Sequence, residues 1–128
     1  VRLNKLDENK IKFYIDDVKK LVKREIRRGN KYDIIIMDPP SFGRGAKNEV
    51  WSIEKDLYNL VSDASSLLSD EPLLFIINSY TTGLSMTVLE NILRKTIDKP
   101  GIITSTELGV KANDGLILPC GITARWEK

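Results

Sequence analysis

The feature that most constrains the fold of this chain is an apolar run that stops abruptly at an acid and two prolines. Residues 34–37 read Ile-Ile-Ile-Met, and a continuous apolar run fits a strand buried on both faces in a parallel sheet. Because proline cannot donate to a sheet ladder and restricts the residue before it, the strand ends at Asp38, before Pro39 and Pro40. Ligands of open α/β sheets bind at this carboxyl edge, although the same residues also suit a plain turn.

Hydrophobic periodicity predicts that strands and helices alternate along the rest of the chain. The predicted strands cover residues 11–15, 34–37, 72–79, 102–108 and 115–126, and the predicted helices cover 18–28, 53–68 and 86–97. Three strand–helix units followed by a hairpin, with its turn at 113–115, predict one α/β domain. Its sheet is expected to be mostly parallel, with helices on both faces and an antiparallel hairpin at the C-terminal end.

The ends of these predicted helices carry capping signals. Asp16 or Asp17 can cap the first helix, which ends at Gly29, and Ser85 can cap the third. Gly43 and the polar residues that follow it, up to position 48, predict a mobile loop after the two prolines.

Composition excludes several classes of function. The chain has 128 residues and 41% hydrophobic content, enough for a single core, and no histidine, which excludes Ser-His-Asp triads and histidine bases. With one cysteine, Cys120, an internal disulfide framework is also excluded, and neither a structural zinc site nor another metal site is expected. No apolar run approaches the roughly 20 residues that cross a bilayer. No membrane partner is expected, and the expected compartment is the cytoplasm.

Charge is unevenly distributed along the chain. Residues 1–31 hold eleven Lys and Arg against five Asp and Glu, whereas the rest of the chain has more acidic than basic residues. A basic segment of this kind attracts phosphate backbones, and the alternative is a helix face that is simply solvated.

The stretch from Tyr32 to Phe42 resembles motif IV of class I S-adenosylmethionine-dependent methyltransferases. Its Asp-Pro-Pro-Ser-Phe sequence, at residues 38–42, is the form found in bacterial ribosomal RNA methyltransferases. Residues 2–7, 13–18 and 115–121 are similar to further pieces of the ribosomal RNA large-subunit methyltransferase family. The resemblance implies a Rossmann-like methyltransferase fold, S-adenosyl-L-methionine as the cofactor, and RNA, in particular a ribosomal RNA base, as the acceptor.

The resemblance also implies which residues bind the cofactor. Asp17, or its neighbour Asp16, would accept a hydrogen bond from the amino group of the cofactor's adenine, and Asp38 would also be a cofactor-binding residue. The alternative for the first two residues is that they only cap the following helix.

The substrate side falls on the loop itself. By the resemblance, Asp38, Pro39 and Pro40 would form the catalytic site, because the acid and a proline carbonyl would accept hydrogen bonds from a target amine. Phe42 would stack on a flipped-out base, or else pack on its own loop. Arg44 and Lys47 follow closely, where contacts with phosphate would help.

The methylated atom is expected to be nitrogen rather than carbon. Methylation of pyrimidine carbon 5 requires a cysteine nucleophile, and the position nearest to where such relatives carry it is Thr81. Cys120 lies in the terminal hairpin, where it is expected to be a packed and inert thiol.

The resemblance implies that residues 1–128 are the C-terminal part of a methyltransferase catalytic domain. The family's first two strands and its glycine-rich cofactor loop have no counterpart in these residues. Strand 34–37 would then either lie beside strand 11–15 or keep an open edge, and an open edge predicts a homodimer. The alternatives are a methyltransferase with a DNA, protein or small-molecule acceptor, and a non-catalytic fragment that binds RNA or a partner.

Overall fold

The structure is a computed structural model that describes residues 2–5, 7–45 and 49–128. Two single-turn 3-10 helices, Arg2–Asn4 and Glu8–Lys10, precede the regular elements. The helices are α1 (Val18–Arg28), α2 (Ile53–Ser65) and α3 (Met86–Thr96). The strands are β1 (Ile34–Met37), β2 (Phe42–Arg44), β3 (Val50–Ser52), β4 (Leu74–Ser79), β5 (Ile102–Lys111) and β6 (Ile117–Glu127).

Four strands form the main sheet in the order β1-β4-β6-β5. β1 and β4 are parallel, and β6 is antiparallel to both of its neighbours, so that β1, β4 and β5 all run in one direction. β5 and β6 are joined by the predicted turn, where Gly115 has a φ of +89°. The prediction of an α/β fold with a mostly parallel sheet and a C-terminal antiparallel hairpin is therefore confirmed.

The core lies on one face of this sheet. Phe75 and Ile77 of β4 are fully buried and pack in one cluster with side chains of α2, α3 and β6. Ile35 and Met37 of β1 pack against this cluster and also against a second one that contains Val22 of α1. All three helices thus cover the same face, and the prediction of helices on both faces holds for one face only in the described chain.

The other face of β1 is open. Ile34 is 50% exposed and Ile36 is 64% exposed, so the expectation that this strand is buried on both faces is wrong for this chain. The physical reason is that the described helices all pack on the opposite face of the sheet, so none of them covers Ile34 and Ile36. An apolar run predicts the strand correctly, but burial of the second face requires a covering element.

The strand predicted at residues 11–15 does not form. These residues have no regular structure, Phe13 is 77% exposed, and Ile15 is fully exposed. An extended segment becomes a strand only when a neighbour accepts its hydrogen bonds, and no described strand pairs with this one. Of the two arrangements expected from the sequence, the structure has the open edge at β1.

Both predicted caps of α1 are present. Asp17 is the N-cap, and its carboxylate accepts a hydrogen bond from the backbone N–H of Lys20 at 3.0 Å. Gly29 ends the helix with φ +69°, in the left-handed region that glycine adopts at low cost. Ser85 caps α3 as predicted, accepting from the N–H of Val88.

Part of the segment after the prolines is a strand that the sequence did not predict. Gly43 and Arg44, at the start of the predicted mobile loop, belong to β2, which pairs with β3 in a small antiparallel sheet that sets Gly43 opposite Trp51. Residues 46–48, which include the predicted phosphate contact Lys47, lie outside the described residues. None of the helices in the described part of the chain has the length and apolar character needed to span a bilayer.

Candidate active site at the carboxyl end of the sheet

A cavity of about 660 Å³ lies where the sequence predicted a ligand site. Its walls come from the first turns of α1, the end of β1 and the small β2–β3 sheet. Asp17, Asp38, Pro39 and Pro40 all line it, so the structure brings together one predicted cofactor residue and the predicted catalytic loop. This cavity is the candidate active site, and residues 38–41, between β1 and β2, are called the Asp-Pro-Pro loop below.

Phe42 lies apart from these residues. It is the first residue of β2, is 56% exposed, and is not among the residues that line the cavity. Cross-strand neighbours of an antiparallel pair share a face, so Phe42 lies with Ser52, and Gly43 and Trp51 lie on the opposite face. Trp51 does line the cavity, which makes it the aromatic side chain of the site.

Three hydrogen bonds fix the Asp-Pro-Pro loop. The indole N–H of Trp51 donates to the carbonyl of Pro40 at 2.6 Å, and the backbone N–H of Ile53 donates to the carbonyl of Ser41 at 3.0 Å. The Ser41 hydroxyl lies 2.7 Å from the hydroxyl of Thr81, which follows β4. The loop is therefore bonded to β3, to α2 and to the loop after the neighbouring parallel strand.

The two adjacent aspartates have different surroundings. Asp16 accepts hydrogen bonds from the Arg24 guanidinium and from the backbone N–H of Asp17, both at 2.8 Å. The bond from Arg24 is the larger reason why the pKa of Asp16 is lowered. Asp16 does not line the cavity, whereas Asp17 both caps α1 and lines it, so capping and ligand contact are compatible at position 17.

Lysines of α1 form one wall of the cavity, and acidic side chains bind two of them. Lys19 Nζ lies 2.7 Å from the Asp56 carboxylate, and this hydrogen bond lowers the pKa of Asp56. Lys20 Nζ lies 2.9 Å from the Glu49 carboxylate, which raises the pKa of Lys20. Lys23 also lines this wall.

Arg44, on the β2 side of the cavity, was predicted from the sequence as a phosphate contact. Neither Arg44 nor Lys23 forms an ion pair within the part of the chain that the structure describes. Two cations at the cavity, one on α1 and one on β2, are therefore available to an anionic ligand.

The sulfur and metal chemistry of the chain is limited. Cys120 is exposed, so the prediction of a packed thiol is wrong, and residues 109–120 at this end of the hairpin are all exposed. Thr81, the position nearest to the nucleophile of carbon-5 methyltransferases, contacts the Asp-Pro-Pro loop through its hydroxyl. Across residues 2–5, 7–45 and 49–128, no group of three or more acidic or cysteine side chains is arranged to hold a metal ion.

Methyltransferases are among the known proteins that are similar to this chain in sequence and in structure. The chain is 55% identical over 42 residues to ribosomal RNA large subunit methyltransferase I of Escherichia coli O1:K1 / APEC, a match that covers 33% of the chain and 11% of that protein. No family model matches the chain.

Two solved structures superpose on most of the chain. The SAM-dependent methyltransferase from Agrobacterium tumefaciens has a TM-score of 0.77 and 33% identity, covering 84% of this chain and 37% of its own. SMU.776, described as a methyltransferase and crystallised with S-adenosylhomocysteine, has a TM-score of 0.71 and 25% identity, covering 98% of this chain and 34% of its own. This chain therefore spans about a third of the length of these two relatives.

The sheet order, the Asp-Pro-Pro loop at its carboxyl edge and these similarities define the class: the chain is related to the class I S-adenosylmethionine-dependent methyltransferases. Within that class, its sequence is similar to ribosomal RNA large subunit methyltransferase I. The resemblance seen in the sequence is confirmed on both levels.

Proposed function

We propose that this chain is the C-terminal part of the catalytic domain of an S-adenosyl-L-methionine-dependent methyltransferase that acts on RNA, with a ribosomal RNA base as the acceptor. The observation that carries the proposal is the shared cavity, in which Asp17 and Asp38 line the same space. A cofactor residue and a catalytic residue must face one another when a methyl group passes directly from cofactor to acceptor. The proposal implies a cytoplasmic location, where ribosomal RNA is found.

The residues of the cavity fit the adenine end of the cofactor. One carboxylate oxygen of Asp17 accepts from the Lys20 N–H, and the other is available to an exocyclic amine. Met37 and Leu60 add apolar surface against which a planar ring can pack. When bound, S-adenosyl-L-methionine supplies the methyl group, and the chain's own residues hold and orient the acceptor.

On the acceptor side, the Asp-Pro-Pro loop offers hydrogen-bond acceptors and no thiol. The carboxylate of Asp38 and the carbonyl of Pro39 can accept from the two hydrogens of an amino group, which orients the nitrogen lone pair. Without a cysteine at position 81, a covalent route through carbon 5 of a pyrimidine has no nucleophile. We therefore propose an exocyclic amino group as the methylated position.

The charge distribution supports a nucleic acid as the acceptor. Lys23 and Arg44 rim the cavity without ion-pair partners among the described residues, where phosphates beside a flipped-out base would lie. Phosphate contacts of this kind make binding strongly dependent on salt concentration. We expect the affinity for single-stranded RNA to fall as salt is raised, and Lys23→Ala to weaken binding more than Lys95→Ala, a control on α3 away from the cavity.

The proposal is tested first by calorimetric titration of S-adenosylhomocysteine into the chain, and then by transfer of a labelled methyl group to ribosomal RNA. Cofactor binding followed by labelling of an amino nitrogen supports the proposal, and Asp38→Ala should abolish the labelling. Labelling of DNA, protein or a small molecule in preference to RNA would contradict the proposed acceptor. Binding of RNA without affinity for S-adenosylhomocysteine would instead favour a non-catalytic RNA-binding fragment.

We also propose that two copies of the chain pair through the open edge of β1. Among the described residues β1 pairs only with β4, so the backbone groups of its other edge, beside the exposed Ile34, are open to strand pairing between chains. Light scattering should give the mass of a dimer that Ile34→Lys reduces to one chain. Ile102→Lys is the matched control, because Ile102 is similarly exposed but lies on β5, at the opposite edge. A wild-type mass of one chain at high concentration would refute the dimer.

A further inference from the structure

We infer that Trp51 is a positioning residue that holds the Asp-Pro-Pro loop in place, and that Lys19 and Asp56 hold Trp51. This inference rests on the proposed function, because the loop that Trp51 holds carries the proposed catalytic residues. It goes beyond that function because it assigns a role in acceptor alignment to three side chains outside the loop.

The first contact joins Trp51 to the loop. Its indole Nε1–H donates to the carbonyl oxygen of Pro40 at 2.6 Å, a short hydrogen bond. Trp51 lies opposite Gly43 in the β2–β3 sheet, and a Cβ built at Gly43 would lie 3.8 Å from the Trp51 Cβ. The indole thus reaches back across its own hairpin to the residues that precede β2.

The second contact joins Trp51 to α1. Lys19 Nζ lies 5.2 Å from the centroid of the Trp51 ring, within the range of a cation–π interaction. The same ammonium group lies 2.7 Å from the Asp56 carboxylate, which also accepts from the backbone N–H of Ser52 at 2.9 Å. Asp56 therefore holds the lysine over the indole and fixes the backbone of the residue that follows Trp51.

Together these contacts connect the two halves of the candidate site. Lys19 lies two residues after Asp17, on the helix that carries the proposed adenine contact, and Pro40 lies two residues after Asp38. The Pro40 carbonyl already accepts from the indole, whereas Asp38 and Pro39 line the cavity and are the proposed hydrogen-bond acceptors for the amine. The structure assigns Trp51 to setting the distance between acceptor and cofactor, which strongly affects the rate of a direct transfer.

The test replaces Trp51 with Phe, which keeps an aromatic ring in the cavity wall and removes the N–H donor. The backbone N–H of Ile53, bonded to the Ser41 carbonyl, is the probe of loop order. We expect its hydrogen exchange, measured by nuclear magnetic resonance, to become roughly tenfold faster in Trp51→Phe. Methyl transfer should lose roughly tenfold in kcat, while the Kd for S-adenosylhomocysteine stays within about twofold, because the loss is one of alignment.

Two further variants separate positioning from a general loss of structure. Asp56→Asn keeps an oxygen that accepts from the Ser52 N–H but removes the charge that attracts Lys19. It should therefore speed hydrogen exchange at Ile53 and lower kcat, as Trp51→Phe does, but by a smaller factor. Glu54→Gln, an exposed neighbour in the same helical turn, should leave both unchanged. If Trp51→Phe does not fold, the inference is tested with Asp56→Asn alone, and unchanged hydrogen exchange at Ile53 together with unchanged kcat in that variant overturns it.

The outcomes distinguish this inference from the proposed function. A folded Trp51→Phe with unchanged exchange at Ile53 and unchanged kcat overturns the inference. Equal losses in cofactor affinity and kcat overturn it as well, because Trp51 would then be part of the binding wall rather than a positioning residue. If the wild-type chain transfers no methyl group to any acceptor, the proposed function fails, and the exchange measurement alone still decides whether Trp51 holds the loop.

Discussion

The hydroxyl oxygens of Ser41 and Thr81 lie 2.7 Å apart, and this hydrogen bond joins the loops that follow β1 and β4. The two strands are parallel neighbours, so their carboxyl ends meet at one edge of the sheet and their loops lie side by side. Thr81 is itself held by the hydroxyl of Ser79, which accepts from its backbone N–H at 3.2 Å. The Asp-Pro-Pro loop is thus fixed partly from a segment forty residues further along the chain.

Removal of this hydroxyl pair should destabilise the chain modestly. Thr81→Ala leaves the Ser41 hydroxyl without its protein partner, and a hydrogen bond of this type contributes about 1 kcal/mol to the free energy of unfolding. Thr82→Ala is the matched control, since Thr82 is exposed and the structure gives its side chain no bond among the described residues. Urea denaturation of both variants checks the prediction, and equal midpoints would contradict it.

A serine in place of Asp17 should separate capping from cofactor binding. Serine caps helices about as well as aspartate, so Asp17→Ser should change the free energy of unfolding by less than about 0.5 kcal/mol. Serine has no carboxylate, and its side chain is too short to reach the adenine edge. The affinity for S-adenosylhomocysteine should therefore fall roughly tenfold, which corresponds to the loss of one hydrogen bond in a pocket. Calorimetry and thermal unfolding measure the two effects. An unchanged affinity for S-adenosylhomocysteine would mean that Asp17 only caps α1 and does not bind the cofactor.

Glu25 and Tyr32 should give the stability of the chain a characteristic pH dependence. The Tyr32 hydroxyl donates to the Glu25 carboxylate at 2.6 Å, and Asn30 and Arg28 donate to the same group at 2.6 and 3.0 Å. The bond from Tyr32 is the largest reason why the pKa of Glu25 is lowered from 4.5 to about 2. The carboxylate correspondingly raises the pKa of Tyr32 from 10.0 to about 12.

The sign of each effect follows from the direction of its shift. Because the pKa of Glu25 is lower in the folded chain, its contribution is complete above pH 4.5 and is lost as the pH falls toward 2. Because the pKa of Tyr32 is higher in the folded chain, its contribution is complete below pH 10 and is lost as the pH rises toward 12.

Thermal unfolding across pH measures these contributions. The difference in Tm between wild type and Glu25→Gln should narrow below pH 4.5, and the difference between wild type and Tyr32→Phe should narrow above pH 10. Asp98→Asn, at an exposed position after α3, serves as the control, and its Tm should differ from that of the wild type by a small amount that does not change with pH. A difference for Glu25→Gln that does not change between pH 7 and pH 2 would be inconsistent with the cluster.

Gly121 should tolerate no side chain. Its φ is +136°, and a Cβ there would lie 2.7 Å from the backbone oxygen of Ser79 and 2.6 Å from the ring of Tyr80. Gly121→Ala should therefore cost about 1–3 kcal/mol for the close contacts in addition to about 1–2 kcal/mol for the backbone conformation. Gly115→Ala is the control, since Gly115 also has a positive φ but open space around it. Similar urea midpoints for the two variants would contradict the close approach of β6 to the end of β4.

Local patterns were sufficient to predict most of the main sheet and all three helices. The signals that predicted them are local, because each acts on residues only a few positions away, and such signals can be recognised in a single sequence. They are the apolar runs of β1 and β4 and the capping residues Asp17 and Ser85. The resemblance at residues 38–42 further directed attention to Asp38, and the structure puts that residue in a cavity.

The features that sequence reasoning missed depend on distant partners. Phe42–Arg44 is a strand with a central glycine and no apolar alternation, and it forms because it pairs with Val50–Ser52. Trp51 enters the site through the same pairing, so no local pattern identified it. Residues 11–15 have the apolar character of a strand, but strand formation depends on a neighbour that the described residues do not provide.

The two tryptophans of the chain occupy very different environments. Trp126 is 1% exposed in the core, whereas Trp51 is half-buried at the cavity, beside the ammonium group of Lys19. A soluble quencher should therefore reach Trp51 first, and a molecule that enters the cavity should protect it while leaving the emission of Trp126 unchanged. The chain thus contains two intrinsic fluorophores, one that reports unfolding of the core and one that reports occupancy of the site.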